Sequence, residues 1–466
     1  MGPPKPLATL RPVAGSPPPL RARLAARPEL ADALVWSSLV GAGAAVTVLA
    51  VVAGARVGTP GAPFDGFYRS PRLGPASLLA PLVAAAVLAA VRAGIVERLP
   101  WRWLLVAAWV SAAAWSVALA LVDGTDGLAG PVRDPKEYLV DAGAVASDPV
   151  AFVRGFVEHA PGYSVAVRTH PPGATLLVAF VARGVGLQRP AVIGLGVALM
   201  GALMVPLAGI AVRSLCHETA GRRLLPVLAL APFALWSAVS LDAVMAAVTA
   251  GMMACGVLAS EAGRTPRSSV PLAATAGLLL GSAALLGYQV AWLGFSVVAV
   301  YFVRRRPALN VVTGAIALVP LGLVSLAGFA WPDGLSVAQA DISSRVGQQR
   351  SWLLWIVLDL LLLLVACGPT VIAAARGLRR TPGWPFVLGA ALAVLFAVVS
   401  GLSRGEVERS WLPLFPWLLV PALAPVVRQR QPAAAGAPDA AAVPVGLVAL
   451  GCVVAVVLQA VLASTW

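Results

Sequence analysis

Apolar runs of about twenty residues follow one another along most of this 466-residue chain. A helix of about that length crosses the hydrocarbon core of a bilayer. Because 59% of the residues are hydrophobic and only 12% are charged, a water-soluble domain of this size could not cover its apolar surface. The sequence also lacks the ten-residue alternating segments of a membrane β-barrel. We therefore predict an all-α polytopic protein of the cell membrane.

The runs predict about 13 transmembrane helices. They lie near 34–55, 75–95, 102–122, 190–212, 223–239, 241–260, 271–287, 288–303, 309–330, 352–375, 384–402, 410–427 and 443–463. One further apolar run, 173–188, is shorter and contains Arg183. Whether that run crosses the membrane decides the side on which every later loop lies.

The distribution of basic residues distinguishes the two topologies, since short cytoplasmic loops collect Lys and Arg. If the N-terminus is cytoplasmic and 173–188 does not span, most of the 34 Lys and Arg lie inside; if it spans, most lie outside. We therefore predict that 173–188 is a juxtamembrane helix on the outer side. The net charge of +14 has the same origin, because the basic residues are scattered between the apolar runs. We therefore expect no nucleic-acid partner.

This topology divides the chain into four parts. Residues 1–30 are Pro-rich and basic and predict a disordered cytoplasmic tail, 31–428 form the transmembrane domain, 429–442 read as a flexible linker, and 443–466 form a terminal transmembrane helix. Residues 123–172 make a long acidic outer loop. A loop of this length is usually functional or disordered, and its aromatic residues favour order.

The outer loop contains a cluster of carboxylates. The segment RDPKEYLVDAGAV brings together Asp134, Glu137, Tyr138 and Asp141. A helix beginning after Pro135 would place these side chains on one face, with Asp134 as its N-cap. Two interpretations stay open: Asp134 only caps the helix while the others are solvated, or one carboxylate is the general base for an acceptor hydroxyl.

Two other predicted outer loops carry charged residues. LSRGEVERSW and WPDGLSVAQADISSRVGQQRSW together contain Arg404, Glu406, Glu408, Arg409, Arg345 and Arg350. Guanidinium groups bind phosphate oxygens in a bidentate manner, so these arginines are candidates for a phosphate site. A solvated turn with internal ion pairs, or an arginine reaching to the membrane interface, explains them equally well.

Single polar residues at the ends of apolar runs complete the candidates. Asp242 begins one run and Tyr288 interrupts the break between two others, and an ionisable residue at membrane depth is a site candidate. Asp359 lies within a leucine-rich run and must either pair or face a polar cavity. All of these candidates except Asp359 fall on the outer side, which predicts a single site there.

The order of these motifs resembles the GT-C class of membrane glycosyltransferases, in particular the protein O-mannosyltransferase and aminoarabinose transferase family. Asp134 and Tyr138 are similar to an acidic and an aromatic position in the first large outer loop of those enzymes. His170 and the two prolines after it are similar to the motif that leads into their juxtamembrane helix. Asp242, in SLDAVMAAV, is similar to the Asp that opens a later span.

The resemblance covers about residues 100–300, and the remainder resembles actinobacterial membrane proteins of the same class. The chain departs from the pattern at Pro135, which stands where the family has the second acid of an Asp-Glu pair. Glu137 or Asp141 would have to supply that carboxylate. Two additional runs also precede the outer loop.

The resemblance implies a GT-C-like bundle and an enzyme that moves a sugar from a polyprenyl-phosphate donor to a glycan, lipid or protein acceptor on the extracytoplasmic face. Asp134 or Asp141 would be the base, Arg409 and Arg350 phosphate partners, and His170 a phosphate or sugar contact. No cofactor and no metal-ligand spacing is evident, although a divalent cation is compatible with clustered carboxylates.

Two rival functions remain. A multi-span transporter would require polar residues at mid-bilayer depth and often an internal repeat, and the sequence offers only Asp359 and no clear repeat. A non-catalytic GT-C-like protein of envelope assembly would explain the missing second acid beside Asp134. A transporter would also leave the acidic outer loop unexplained.

Overall fold

The computed structural model describes residues 27–186, 188–238, 240–424 and 442–464, and these are almost entirely helical. The predicted tail 1–30 lies mostly outside this part, since the first described helix already begins at Pro28. The predicted linker 429–442 also lies outside it, except for its last residue.

Four helices and one short strand precede the outer loop: α1 (Pro28–Val52), β1 (Gly66–Tyr68), α2 (Leu79–Arg92), α3 (Ile95–Arg98) and α4 (Trp101–Ala120). The strand β1 pairs antiparallel with β2 (Leu462–Ser464) at the end of the described chain. This pairing fixes the loop after α1 to the last helix, an arrangement that the all-α expectation did not include.

The predicted outer loop folds into five short helices, and a sixth follows it: α5 (Asp126–Arg133), α6 (Leu139–Ser147), α7 (Pro149–Arg154), α8 (Phe156–His159), α9 (Val165–Thr169) and α10 (Pro172–Val185). They share a hydrophobic core with bundle residues such as Met245, and within it Phe156 contacts Phe152, Tyr163 and Phe329 edge-on or tilted. The loop is therefore an ordered unit, as its aromatic content predicted.

The helix α10 corresponds to the predicted juxtamembrane helix 173–188. It begins at Pro172, whose ring suits the first turn of a helix, and it has only 14 residues. One side packs against α6, while Phe180 is 77% exposed. A helix of 14 residues is shorter than the about 20 residues that cross a bilayer, and a position beside the membrane stays a prediction.

Seven helices follow: α11 (Pro190–Ala202), α12 (Met204–Leu215), α13 (Glu218–Ala229), α14 (Leu241–Ala259), α15 (Pro266–Leu286), α16 (Gly294–Val303) and α17 (Ala308–Leu326). The chain then forms α18 (Trp331–Arg345), α19 (Trp352–Cys367), α20 (Thr370–Gly377), α21 (Trp384–Ser400), α22 (Val407–Ser410), α23 (Phe415–Leu419) and α24 (Val445–Val461). The helix α14 is the most enclosed of the long apolar helices and lies at the centre of the bundle.

Short 3-10 helices extend or interrupt these elements at Pro75–Leu78, Leu121–Asp123, Ala160–Gly162, Pro232–Trp236, Val290–Leu293, Leu378–Arg380 and Val420–Ala422. The helices α11 and α12 together form one apolar segment, Pro190–Leu215, of 26 residues.

The thirteen predicted spans are only partly realised as single helices. In the described residues, seven segments are long and apolar enough to cross a membrane, and an eighth is a pair bent by 102° between α19 and α20. Three further predicted spans are shorter helices, and the runs 223–239 and 410–427 are broken. Prolines explain the breaks, because each removes a backbone donor within the run.

Contacts between distant loops occur at two opposite ends of the bundle. At one end, Arg222 donates to the carbonyl oxygen of Leu99 at 2.8 Å, just before α4 begins. At the other end, Asp123, after α4 has ended, forms an ion pair with Arg69 at 3.2 Å. The first end holds the loops predicted to be cytoplasmic, and the second holds those predicted to be outer.

Candidate functional site

A cavity of about 140 Å³, the main cavity, lies at the end of the bundle where the predicted outer loops meet. Its charged and polar lining residues come from six separate segments: Lys136, Glu137, Thr169, His170, Asp242, Tyr288, Gln289, Arg345, Arg350, Ser403, Arg404, Glu406, Arg409 and Ser410. Five of these side chains are cationic and three are carboxylates, so the lining carries a formal excess of positive charge. Nine of the thirteen catalytic and substrate-binding candidates from the sequence line this cavity.

Arg409 occupies the centre of a carboxylate cluster. Its guanidinium forms an ion pair with Glu137, and it lies 3.5 Å from a carboxylate oxygen of Asp242 and 3.5 Å from one of Glu406. Burial alone lowers the pKa of Arg409, but these three carboxylates outweigh it and raise that pKa. The Arg409 guanidinium therefore contacts three carboxylates of the protein, whereas the sequence predicted a phosphate as its partner.

Two structural features hold Asp242 at this position. The helix α14 begins beside it, and the hydroxyl of Ser240 both donates to its carboxylate at 2.7 Å and accepts from its backbone N–H at 3.1 Å. A carboxylate is stabilised at a helix N-terminus, where free N–H groups carry partial positive charge. The prediction that Asp242 opens a helix on the side of the outer loops is confirmed.

The guanidinium of Arg350 also interacts with several groups of the protein itself. Its guanidinium pairs with Asp65 at 2.7 Å, donates to the backbone oxygen of Arg404 at 2.6 Å and lies 4.8 Å from the ring centre of Trp355. Only 7% of the residue is exposed. Asp65, in the loop after α1, was not among the sequence candidates; applying the sidedness argument to that first loop would have included it.

Arg404 differs from the other arginines of the cavity. Its Nε is buried and has no hydrogen-bond partner among the described residues, and one terminal nitrogen lies 3.5 Å from the backbone oxygen of Arg350. Arg345 is held by Asp341, which also pairs with Arg168 at 3.2 Å. Arg404 therefore keeps the most donors for a ligand.

Behind the arginines lie two further acids of the same hairpin. Glu406 adopts a left-handed backbone conformation with φ of 60°, which turns the chain into α22, and it lines the cavity. Glu408 is 0% exposed and does not line the cavity. Asp359, the candidate inside an apolar run, accepts a hydrogen bond from the N–H of Gly405 at 3.0 Å and so supports this hairpin.

His170 lines the cavity between the outer loop and α10. Its Nδ1 lies 2.9 Å from the carbonyl oxygen of Ala166, and its ring meets Tyr138 edge-on at 5.8 Å. Since a carbonyl only accepts, Nδ1 carries the proton and Nε2 is left as an acceptor when the ring is neutral. Burial lowers the pKa of His170. A neutral ring suits a hydroxyl donor better than a phosphate.

The two tyrosine candidates have different positions. Tyr288 lines the cavity next to Gln289, whose side-chain amide donates to the carbonyl oxygen of Ser410 at 2.6 Å. The Tyr288 hydroxyl is buried with no hydrogen-bond partner among the described residues. Tyr138 is buried behind His170, and burial raises the pKa of its phenol well above the usual value. Tyr138 therefore packs behind His170 in the wall of the main cavity and does not line it.

The predicted helix over the acidic segment is wrong. Residues 134–138 form a turn, in which the N–H of Glu137 bonds the carbonyl oxygen of Asp134 at 2.9 Å, and α6 begins only at Leu139. The Asp134 carboxylate accepts from the N–H of Lys136 at 2.8 Å, an interaction that favours a turn over a helix.

This turn separates the three carboxylates that were expected on one face. Glu137 lines the cavity, whereas Asp134 lines a second cavity of about 420 Å³ on the other side of the turn. Asp141 accepts a hydrogen bond from the N–H of Ser164 at 3.0 Å and lines neither cavity. Only one of the three predicted bases therefore reaches the main cavity.

Lys136 is a cavity residue that the sequence reasoning missed, although it lies inside the acidic segment. Its positive charge among three acidic residues was the available signal. In the described part of the chain, no three His, Cys, Asp or Glu side chains are grouped closely enough to hold a metal ion.

Comparison with known proteins gives similarity only to solved structures. No family model and no curated protein matches the chain. The crystal structure of ArnT from Cupriavidus metallidurans in the apo state is similar at 18% identity and a TM-score of 0.43, over 62% of this chain and 54% of that one. The same protein bound to undecaprenyl phosphate gives 20% identity and a TM-score of 0.45, over 66% and 58%. The chain thus matches little more than half the length of these structures.

Proposed function

We propose that this chain is a glycosyltransferase of the cell membrane, which moves a sugar from a polyprenyl-phosphate donor to an acceptor on the extracytoplasmic face. The observation that carries the proposal is the main cavity, where the donors of Arg404 and the carboxylate of Glu137 face the same space. A phosphate leaving group requires cationic donors, and an acceptor hydroxyl requires a base, and both are present.

The donor phosphate binds at Arg404 and Arg345. Arg404 contributes a buried Nε without a protein partner, and the lining as a whole carries excess positive charge. The polyprenyl class of donor follows from the sequence resemblance and from a cavity at the end of membrane-length helices. Undecaprenyl phosphate, named for one of the similar structures, belongs to this class of lipid.

Glu137 takes the proton of the acceptor hydroxyl. As that oxygen bonds to the sugar C1, the bond from C1 to the phosphate oxygen breaks, and the lipid phosphate leaves as an anion that needs no proton. Arg409 is a positioning residue, because its ion pair with Glu137 fixes the direction of the carboxylate. His170 and Tyr288 contact sugar hydroxyls, since both line the cavity, Nε2 of His170 is an acceptor in the neutral ring, and the Tyr288 hydroxyl has no hydrogen-bond partner among the described residues.

Transfer from radiolabelled polyprenyl-phosphate mannose, glucose and arabinose in membranes tests this proposal. We expect Glu137→Gln to lower kcat by about a hundredfold with little change in the KM of the donor, a typical effect of removing a general base. Arg404→Ala should mainly raise the donor KM. Asp141→Asn, which changes a carboxylate outside the cavity, is the matched control and should retain activity.

Full activity of Glu137→Gln would remove it as the base. Sugar uptake into vesicles without transfer to an acceptor would instead support the transporter function. Binding of the donor without either outcome would support the non-catalytic role in envelope assembly.

A further inference from the structure

The second cavity, of about 420 Å³, has no role in the proposed donor site. It lies between the loop after α1, the start of the outer loop and the end of the described chain. Its polar and aromatic lining residues are Phe67, Arg69, Arg72, Asp123, Asp126, Asp134, Trp236 and Gln459. Part of its lining, at Phe67 in β1 and at Leu462 and Ala463 in β2, lies outside residues 100–300, which carry the sequence resemblance.

The charges of this cavity do not favour an anionic ligand. Arg69 and Arg72 both form ion pairs with the single carboxylate of Asp123, and Arg72 also donates to the carbonyl oxygens of Gln459 and Leu462. A phosphate would have to displace these partners. It would also lie close to the carboxylates of Asp126 and Asp134, the other two acidic residues of the lining.

We propose that this cavity binds a neutral oligosaccharide, as the acceptor of the transfer. Sugar hydroxyls donate to carboxylates such as Asp126 and Asp134 and accept from the guanidinium groups, without the cost of placing a net charge there. Phe67, 48% exposed at the cavity, offers an aromatic face to the apolar side of a sugar ring. The role of this sugar as the acceptor rests on the proposed function, but the binding of the sugar does not depend on it.

The turn at 134–137 lies between this cavity and the donor site. Asp134 lines the second cavity and Glu137 the main one, and a hydrogen bond of 2.9 Å from the Glu137 N–H to the Asp134 carbonyl oxygen closes the turn between them. An oligosaccharide held beside Asp134 is therefore separated from the proposed base by this one turn of the chain.

Gly130 gives a variant that blocks the second cavity with little disturbance of the fold. It lies in α5 and lines the cavity, and a Cβ built there meets no atom within 4 Å. Gly130→Trp therefore extends a large side chain into the open space. Gly162→Trp is the matched control, because a Cβ at this exposed outer-loop glycine also meets nothing within 4 Å and the residue lines neither cavity.

Binding is measured with the full-length protein in lipid nanodiscs, using neutral trisaccharides of mannose, glucose and arabinose as probes. We expect at least one trisaccharide to bind the wild type and Gly162→Trp equally, and Gly130→Trp to weaken that binding by at least about tenfold. Excess inorganic phosphate should not displace the sugar. No binding of any neutral trisaccharide, equal binding by Gly130→Trp, or displacement by phosphate would overturn the inference.

The Glu137→Gln variant separates this inference from the proposed function. It should bind the trisaccharide as the wild type does, because Glu137 does not line the second cavity. If Glu137→Gln keeps full transfer activity while Gly130→Trp loses sugar binding, the assigned base is wrong and the oligosaccharide site stands. If Glu137→Gln loses transfer while Gly130→Trp binds sugar normally, the base stands and the oligosaccharide site is wrong.

Discussion

Glu408 carries a carboxyl group that is 0% exposed, directly behind the main cavity in α22. Burial raises the pKa of Glu408 to about 8, and the nearby negative charges of Glu406 and Asp65 act in the same direction. At neutral pH this carboxyl group is therefore mostly protonated. The carboxyl groups in contact with Arg409 are those of Glu137, Asp242 and Glu406, and Glu408 is not among them.

A stability measurement tests the state of Glu408. Its folded pKa of about 8 exceeds the ordinary value of 4.5, so the folded protein holds a proton that the unfolded chain has lost between these values. Stability therefore decreases as the pH rises through this window. We expect Glu408→Gln to unfold at a higher temperature than the wild type near pH 9, by about 2 °C or more, and at nearly the same temperature near pH 5.

The control for this prediction is Glu158→Gln, which changes an exposed carboxylate of the outer loop. It should leave the melting temperature unchanged at both pH values. If Glu408→Gln and the wild type melt at the same temperature near pH 9, ionisation of the buried Glu408 carboxyl group does not destabilise the folded protein and the prediction is wrong.

The roles expected for single arginines show what a sequence leaves open. Arg350 and Arg409 were expected to meet phosphate, because guanidinium groups in outer loops suit that ligand. The structure gives both of them carboxylate partners, and Asp65 lies 285 positions before Arg350 in the chain. Local patterning identifies which residues are charged and predicts on which side of the membrane they lie, but pairing between distant loops depends on the packing of the whole bundle.

At the scale of elements, the outer loop from α5 to α10 is a small folded unit that carries Glu137 and His170. The short helix α10 was predictable, since the charge count favoured a segment that does not span and the prolines before it mark its start. The turn at 134–138 was not predictable from spacing. The helical offsets of Asp134, Glu137 and Asp141 were present, but the hydrogen bond from the Lys136 N–H to Asp134 stabilises a turn instead.

The core of this unit can be tested at Phe156. This side chain is 0% exposed and packs against Phe152, Tyr163 and Phe329, so Phe156→Ala removes the centre of the unit. Such a truncation costs about 3–5 kcal/mol. We expect faster proteolytic cleavage within the outer loop and loss of sugar transfer, while the transmembrane helices stay protected in the bilayer.

Val150→Ala serves as the control for Phe156→Ala, because Val150 is 53% exposed in the same unit. It should change neither the cleavage rate nor the activity. A cleavage rate of Phe156→Ala equal to that of the wild type would mean that the unit does not depend on this core.

At the scale of the whole molecule, the proposed function depends on which end of the bundle faces out. The cavity is lined by segments that lie between Lys136 and Ser410 in the chain, and distant segments meet at this end through pairs such as Arg350 with Asp65 and Arg409 with Glu137. The opposite end gathers arginines such as Arg222 and Arg304, which bind backbone oxygens there. The positive-inside rule assigns this basic end to the cytoplasm.

Single-cysteine labelling tests that assignment. The four native cysteines are first replaced by serine, and one cysteine is introduced either at Gly162 or at Arg267, both of which are exposed. Because Gly162 lies in the outer loop and Arg267 at the start of α15 on the basic end, a membrane-impermeant maleimide should label Gly162→Cys in intact cells. It should label Arg267→Cys only after permeabilisation. The reverse pattern would place the cavity in the cytoplasm, where a transfer to extracytoplasmic acceptors is impossible, and the proposed function would then be wrong.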